Sequence, residues 1–393
     1  MKYDFDKLID RRNTGSTKWA VKRVFGHDDV LPLWVADMDF EVAEPIVEAI
    51  RKRAEHPVFG YTEPGDSLLE AIIDRMERKY AWKIKPEWIL FTPGVVAAVN
   101  AAVKAFAEPG HYVVIQSPVY PPFWTAVTNN SCIVASNPLK FSGNRYEMDF
   151  RDLASQVENK NARLMILCSP HNPVGRVWTK EELETLGEII IGKGGIVVSD
   201  EIHGEIIFKG HKHIPFASIS DDFAKRSVVC IAASKTFNVP GLQTSVVIIP
   251  DEELRGRFNR ARAGIMGSPG IFGFAALEAA FRYGDEWLEQ VLDYIEANVD
   301  FTLEYLREKI PEIKAVKPEG TYLLWLDCRS LGMDCRGLSE FFRERARVGL
   351  NDGYTFGPEG EGFMRLNVGC PRSILEEALR RIERAVKEKV GRS

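Results

Sequence analysis

Val228-Val229-Cys230-Ile231-Ala232-Ala233-Ser234-Lys235-Thr236-Phe237-Asn238-Val239-Pro240-Gly241-Leu242-Gln243 is the stretch on which the reading of this chain turns. Its first four residues form a short apolar run, as in a buried strand. Lys235 therefore comes just past a strand end, the edge at which α/β sheets place their ligands. Its neighbours are small or apolar, with hydroxyls at Ser234 and Thr236. An amine in such surroundings is desolvated, so its pKa should fall and it becomes nucleophilic at neutral pH. A lysine of this kind can condense with a carbonyl cofactor. A solvated surface lysine is the plainer reading, and the flanking chain decides between the two.

Outward from this stretch, further apolar runs at 88–91, 112–115, 132–135, 163–168, 196–199 and 244–249 read as strands. Helical patterns at 44–56 and 67–80 precede them. Thr179 with Glu182 three residues on is a capping box for a helix between two of the runs. Gly192-Lys193-Gly194-Gly195 ends that helix and precedes a strand, so it is no dinucleotide fingerprint. Strands alternating with helices predict an α/β domain whose sheet is parallel or mostly parallel. Helices then dominate from Asp251 to about Ile310. Two strands at 322–326 and 363–368, with a charged helix over 373–390, predict a smaller α+β domain. The expected division is an N-terminal arm and part of the small domain over 1–45, a large domain over 46–284 and a small C-terminal domain over 285–393.

The composition narrows the class. With 393 residues, 45% hydrophobic and 27% charged, the chain has ample material for a globular core. Its formal net charge of −5 argues against a nucleic-acid surface. No run reaches the ~18 apolar residues of a membrane span. The polar start, Met1-Lys2-Tyr3-Asp4-Phe5-Asp6, has no apolar signal core. Six cysteines without a CxxC pair read as buried reduced thiols. The cytoplasm is the expected location, with no membrane and no nucleic acid as partner. His211 and His213 alternate in a loop without a third ligand at metal-site spacing, and read as ordinary solvated histidines.

Strand ends carry the candidate chemistry: Tyr120, Asn172, Asp200 and Lys235 each follow an apolar run. Asp200 precedes Lys235 by 235 − 200 = 35 residues. An aspartate after a buried strand is costly unless a cation pairs with it. Gly94, Val95 and Val96 form a strand–glycine–helix junction, whose free N–H groups suit a phosphate. Tyr120, beside three prolines, is held stiffly enough for an aromatic stack. Arg365 offers a fixed fork for a carboxylate. The irregular Leu31-Pro32-Leu33-Trp34-Val35-Ala36-Asp37-Met38-Asp39-Phe40 carries bulky apolar groups that line something. Each residue also has a plain structural reading, Asp200 as a cap, Asn172 as a turn residue, Arg365 as an ion pair. Their joint arrival at strand ends argues for a site.

From about residue 30 to 390 the chain resembles fold-type I pyridoxal phosphate (PLP) enzymes. More narrowly, it is similar to the cystathionine β-lyase, or carbon–sulfur lyase, branch near the class I/II aminotransferases. The carrying words are Trp34-Val35-Ala36-Asp37-Met38-Asp39-Phe40, Phe59-Gly60-Tyr61, Thr92-Pro93-Gly94-Val95-Val96, Ser117-Pro118-Val119-Tyr120, His171-Asn172-Pro173-Val174-Gly175-Arg176, Asp200-Glu201-Ile202-His203, Ser234-Lys235-Thr236-Phe237-Asn238 and Arg365-Leu366-Asn367. The resemblance implies an aspartate-aminotransferase-like fold: a large PLP-binding domain with a mostly parallel central sheet flanked by helices, plus the smaller α+β domain.

It also implies roles. Lys235 carries PLP and acts in catalysis with Tyr61 and Tyr120. Asp200 pairs with the ring nitrogen, Asn172 or His203 serves the phenolic oxygen, and Tyr120 stacks on the ring. Gly94, Val95, Val96 and Ser234 hold the phosphate. Ala36, Asn172 and Arg365 receive a small sulfur-containing amino acid. A homodimer is implied, with Tyr61 reaching into the partner's site near the phosphate, and Ser117–Pro118 and Asn172–Pro173 occupy positions often cis in this fold. Two departures from many aminotransferases, Gln243 where an arginine holds the phosphate and His203 where tyrosine is common, match the lyase branch. The expected reaction is β-elimination from L-cystathionine or cysteine conjugates, in amino-acid metabolism, with aminotransferase as the alternative. The related transcription regulators carry an N-terminal DNA-binding domain, and about 30 residues before the first site segment are too few for one.

Overall fold

The computed structural model describes residues 2–391. Met1, Arg392 and Ser393, which the expected outer domains include, lie outside the described residues. The chain divides into two compact units. One comprises Val42–Asn172 and Arg176–Leu288; the other falls within Met1–Glu41, Pro173–Gly175 and Glu289–Ser393.

The first unit is built on seven strands: β1 (Ile89–Thr92), β2 (Tyr112–Ile115), β3 (Ile133–Ser136), β4 (Leu164–Cys168), β5 (Ile196–Asp200), β6 (Ser227–Ile231) and β7 (Ser245–Ile248). Their order across the sheet is β1-β7-β6-β5-β4-β2-β3. Every pairing among β2 to β6 is parallel, while β7 runs antiparallel to both β6 and β1. All five residues of β4, of β5 and of β6 are buried. That is why these strands read as continuous apolar runs, as strands covered on both faces do. Helices α1 (Glu44–Glu55), α2 (Asp66–Tyr80), α3 (Val95–Phe106), α4 (Lys180–Ile191), α5 (Ala233–Thr236) and α6 (Ile271–Tyr283) belong to this unit. The Thr179–Glu182 capping box forms as expected, with the Thr179 hydroxyl accepting from the Glu182 N–H and the Glu182 carboxylate accepting from the Thr179 N–H.

The second unit holds a four-stranded antiparallel sheet of β8 (Lys314–Ala315), β9 (Leu323–Asp327), β10 (Asn351–Asp352) and β11 (Phe363–Asn367), ordered β8-β9-β11-β10. α7 (Asp285–Lys309) and α8 (Arg372–Val390) are its long helices, the division falling inside α7 at Leu288 and Glu289. The 1–41 segment is fixed by buried charge. Lys18, fully buried, reaches Asp39 at 2.6 Å, and Arg11 binds Asp37 and Asp39. Trp19 donates to the same Asp39 carboxylate at 2.9 Å. Among the described residues no helix is long and apolar enough to cross a membrane. Five of the six cysteines are buried, and Cys335 is half-buried.

Candidate active site

The carboxyl-terminal ends of the parallel strands gather most of the candidate residues in the first unit. Asp200 is the last residue of β5 and is buried. Its Oδ1 accepts from the Ile202 N–H at 3.1 Å. Burial pushes its carboxyl up to about 7; the Ile202 hydrogen bond and the Lys235 charge pull against that, and the neighbouring Glu201 adds to it. Lys235 lies in α5, directly after β6, and is half-buried. Buried Ser234 precedes it, and the Ser234 carbonyl accepts from the Val239 N–H. The lysine turn is thus a single tight helical turn closed on itself.

Asn172 is buried and follows β4. Its N–H meets the Cys168 thiol at 3.4 Å, and Cys168 is paired in register with Asp200. The adjoining His171 donates from Nε2 to the Pro118 carbonyl, 2.8 Å away, and burial pushes its imidazole down to about 4. Tyr120 caps the start of the helix Pro121–Asn129, half-buried and edge-on to Phe123. His203 is buried three residues past Asp200.

Gly94 takes φ +109°, a conformation that disfavours any side chain. That turns β1 sharply into α3, which starts at Val95 and leaves the first-turn N–H groups of Val95 and Val96 without helical acceptors. Thr92 fixes the junction by bonding the Ser245 hydroxyl at 2.7 Å. Tyr61 is fully exposed, in a segment where Val58 and Phe59 are exposed too. Gln243 is exposed and left-handed, φ +46°.

Ala36 and Arg365 belong to the second unit. Arg365 is buried on β11, where its Nη2 donates to the Trp34 carbonyl at 2.9 Å and to Asn351 Oδ1 at 2.6 Å. It lies over the Phe356 ring. The Ala36 carbonyl accepts from the Tyr322 hydroxyl at 3.0 Å, and Asn367 Nδ2 bonds the carbonyls of Val35 and Asp37. The irregular Trp34–Asp37 stretch is therefore laced to the strand that carries Arg365.

Two expectations need correction. The cis bonds are Ser117–Pro118 and Ser169–Pro170, not Asn172–Pro173. The stretch 169–173 offers two X–Pro bonds of similar intrinsic preference, and sequence alone does not choose between them. His213 is not a solvated histidine: it is buried, with Nε2 2.9 Å from the Glu201 carboxylate. Of the two, His211 is the exposed one. Sequence reading also missed Glu201, Arg75, Asn351 and Lys18, whose partners are distant in the chain.

A buried carboxyl without a full counter-charge, a lysine turn beside it and a helix start with open N–H groups suit a flat aromatic cation that bears an aldehyde and a phosphate. These residues fit PLP.

The sequence model of the aminotransferase class I and II family matches residues 28–382, and the chain belongs to that family. It is 45% identical over 386 residues to the cystathionine beta-lyase PatB of Bacillus subtilis (strain 168), covering 98% of this chain and 100% of that one. Cystalysin from Treponema denticola, whose crystal structure contains a pyridoxal 5'-phosphate cofactor, matches with a TM-score of 0.96 at 36% identity, over 99% of this chain and 100% of that one. The PLP-bound C-S lyase from Staphylococcus hominis matches with a TM-score of 0.92 at 32% identity, over 98% and 99%.

Proposed function

We propose that this protein is a PLP-dependent carbon–sulfur β-lyase that cleaves L-cystathionine or cysteine conjugates by α,β-elimination to a thiol, pyruvate and ammonia. The observation that carries it is Asp200, a carboxyl buried at the end of β5 and in register with Cys230 of β6, the strand that leads into the Lys235 turn. The full-length likeness to PatB favours the lyase branch over the aminotransferases.

PLP, when bound, supplies an electron sink for the pair left at the substrate's Cα. Asp200 holds a proton on the cofactor's ring nitrogen, its own charge being stabilised by that cation. Asn172 and His203 serve the phenolic oxygen, Tyr120 covers the ring, and Gly94, Val95, Val96 and Ser234 take the phosphate. Arg365 binds the substrate carboxylate through its planar fork, and Ala36 lines the amino-acid subsite. Lys235 Nζ removes the Cα proton. The Cβ–S bond then breaks, and the sulfur leaves with the bonding pair as a thiolate. A thiol of pKa near ~8.5 needs little acid assistance to leave. With water consumed, cystathionine yields homocysteine, pyruvate and ammonia.

We also place the protein in the cytoplasm as a homodimer in which Tyr61 enters the partner's site and assists where the amine is exchanged. The exposure of Val58, Phe59 and Tyr61 supports the dimer, and the buried thiols suit a reducing compartment. The test is pyruvate release from L-cystathionine by PLP-loaded protein without a keto acid. Release establishes the lyase; amino transfer that requires a keto acid, with no release, would move the chain to the aminotransferases.

A further inference from the structure

Glu201 follows Asp200 directly, so the two side chains leave the end of β5 on opposite faces. It is as buried as its neighbour, yet the chemistry above gives it no role. Its Oε1 accepts from the Ser199 hydroxyl and from the Phe216 N–H, each at 2.8 Å. Its Oε2 faces His213 Nε2 at 2.9 Å. The His213 ring stands edge-on to Tyr80, centroids 5.5 Å apart. The turn that follows is tied to the same group. The Gly204 N–H donates to the Glu201 carbonyl at 2.8 Å, and the Gly204 carbonyl accepts from the Tyr80 hydroxyl at 3.2 Å. A Cβ on Gly204 would meet His213 Cδ2 at 2.9 Å. One residue on, Glu205 is gripped by the fully buried Arg75, whose guanidinium also lies over the ring of Phe237, two residues past Lys235.

We propose that His213 is a positioning residue: by holding the Glu201 carboxylate it fixes the 200–204 turn, so that Asp200 and His203 present their side chains to the ring nitrogen and phenolic oxygen of bound PLP. The inference rests on the PLP reading of the same site. A buried carboxylate must be satisfied by donors, and removing one leaves it uncompensated. Without the imidazole, Glu201 keeps only Ser199 and Phe216, both on one oxygen. The other oxygen must then find a donor by moving, and Asp200 shares its backbone. The second effect is electrostatic, because Glu201 already works against ionisation of Asp200. Screening that charge from Asp200 is what a donor on Glu201 Oε2 accomplishes.

The test uses full-length protein freed of cofactor and titrated with PLP, following the dissociation constant and the visible band, with the Tm of the cofactor-free form as control. His213→Leu should weaken PLP binding by about tenfold or more and change the visible band, as loss of a donor to a buried charge would. His213→Gln, which keeps a donor for Glu201, should stay within about threefold of the unaltered protein, as neutral bonds to a carboxylate do. Unchanged PLP affinity and band in a folded His213→Leu, or equal losses in both variants, would overturn the proposal. Should His213→Leu fail to fold, Ser199→Ala decides: it removes a milder support of Glu201 and should weaken PLP binding by about threefold, and no change there is equally fatal. Absence of any PLP titration in the unaltered protein would instead sink the cofactor reading on which the proposal stands.

Discussion

Asp200 is held where water would not leave it. Burial raises its carboxyl to about 7 from an ordinary 3.8. A group whose folded pKa lies above its unfolded one holds its proton more tightly when folded, so its contribution is present below about pH 4 and is lost as pH rises through about 7. Cofactor-free protein should therefore be destabilised at this residue as pH rises from 4 to 8. Asp200→Asn has no charge to bury. Urea titration at pH 8 should find the cofactor-free Asn variant the more stable by about 1–4 kcal/mol, with the order reversed once PLP is present. A less stable Asn variant without cofactor would mean the carboxylate is already compensated. Lys235→Ala, in turn, should lose both the visible band near ~420 nm and pyruvate release. Lys235, Asp200, Asn172 and Arg365 were legible because each follows, ends or sits in an apolar run and brings unusual chemistry there. Glu201, His213 and Arg75 were not, since what defines them is a partner 12 to 210 residues away.

At the scale of elements, the junction between β1 and α3 depends on one backbone angle. Gly94→Ala must hold φ near +109° with a side chain, at about 1–3 kcal/mol, or relax and turn the Val95 and Val96 N–H groups away. Either way PLP should be retained less well, measured as faster loss of the visible band on dialysis; retention equal to the parent would remove the junction from the phosphate's neighbourhood. Thr179→Ala, by contrast, breaks the capping box of α4 and should cost about 1 kcal/mol in urea unfolding without changing PLP affinity. Strands and helices were read from the sequence to within a residue or two where the pattern was continuous, as in β2 and β4. The reversed direction of β7 was not, because an apolar run reads the same both ways. The two-residue strands at Lys314–Ala315 and Asn351–Asp352 are too short to show a period.

For the whole molecule, the proposed homodimer makes a quantitative demand. If Tyr61 serves the partner's site, Lys235→Ala and Tyr61→Ala proteins, each impaired alone, complement when subunits are exchanged. A mixed dimer then carries one site with both lesions and one with neither. Random pairing makes half the dimers mixed, so about a quarter of all sites should regain activity; no recovery after verified exchange would confine each site to one chain. The α/β class, the smaller α+β region and the lysine stretch were all visible in the chain order. The burial of Lys18 against Asp37 and Asp39 was not, for nothing in the 1–30 pattern marks a core.

The antiparallel setting of β7 has a further result. Lys235 lies between two neighbouring strands, β6 ending at Ile231 and β7 starting at Ser245. Both anchors of its turn are therefore hydrogen-bonded inside the sheet. Amide protons of Val229, Cys230, Val246 and Val247 should exchange with deuterium only through global opening, while those near Tyr61 exchange early. On that ground the anchors of Lys235 share the lifetime of the whole fold.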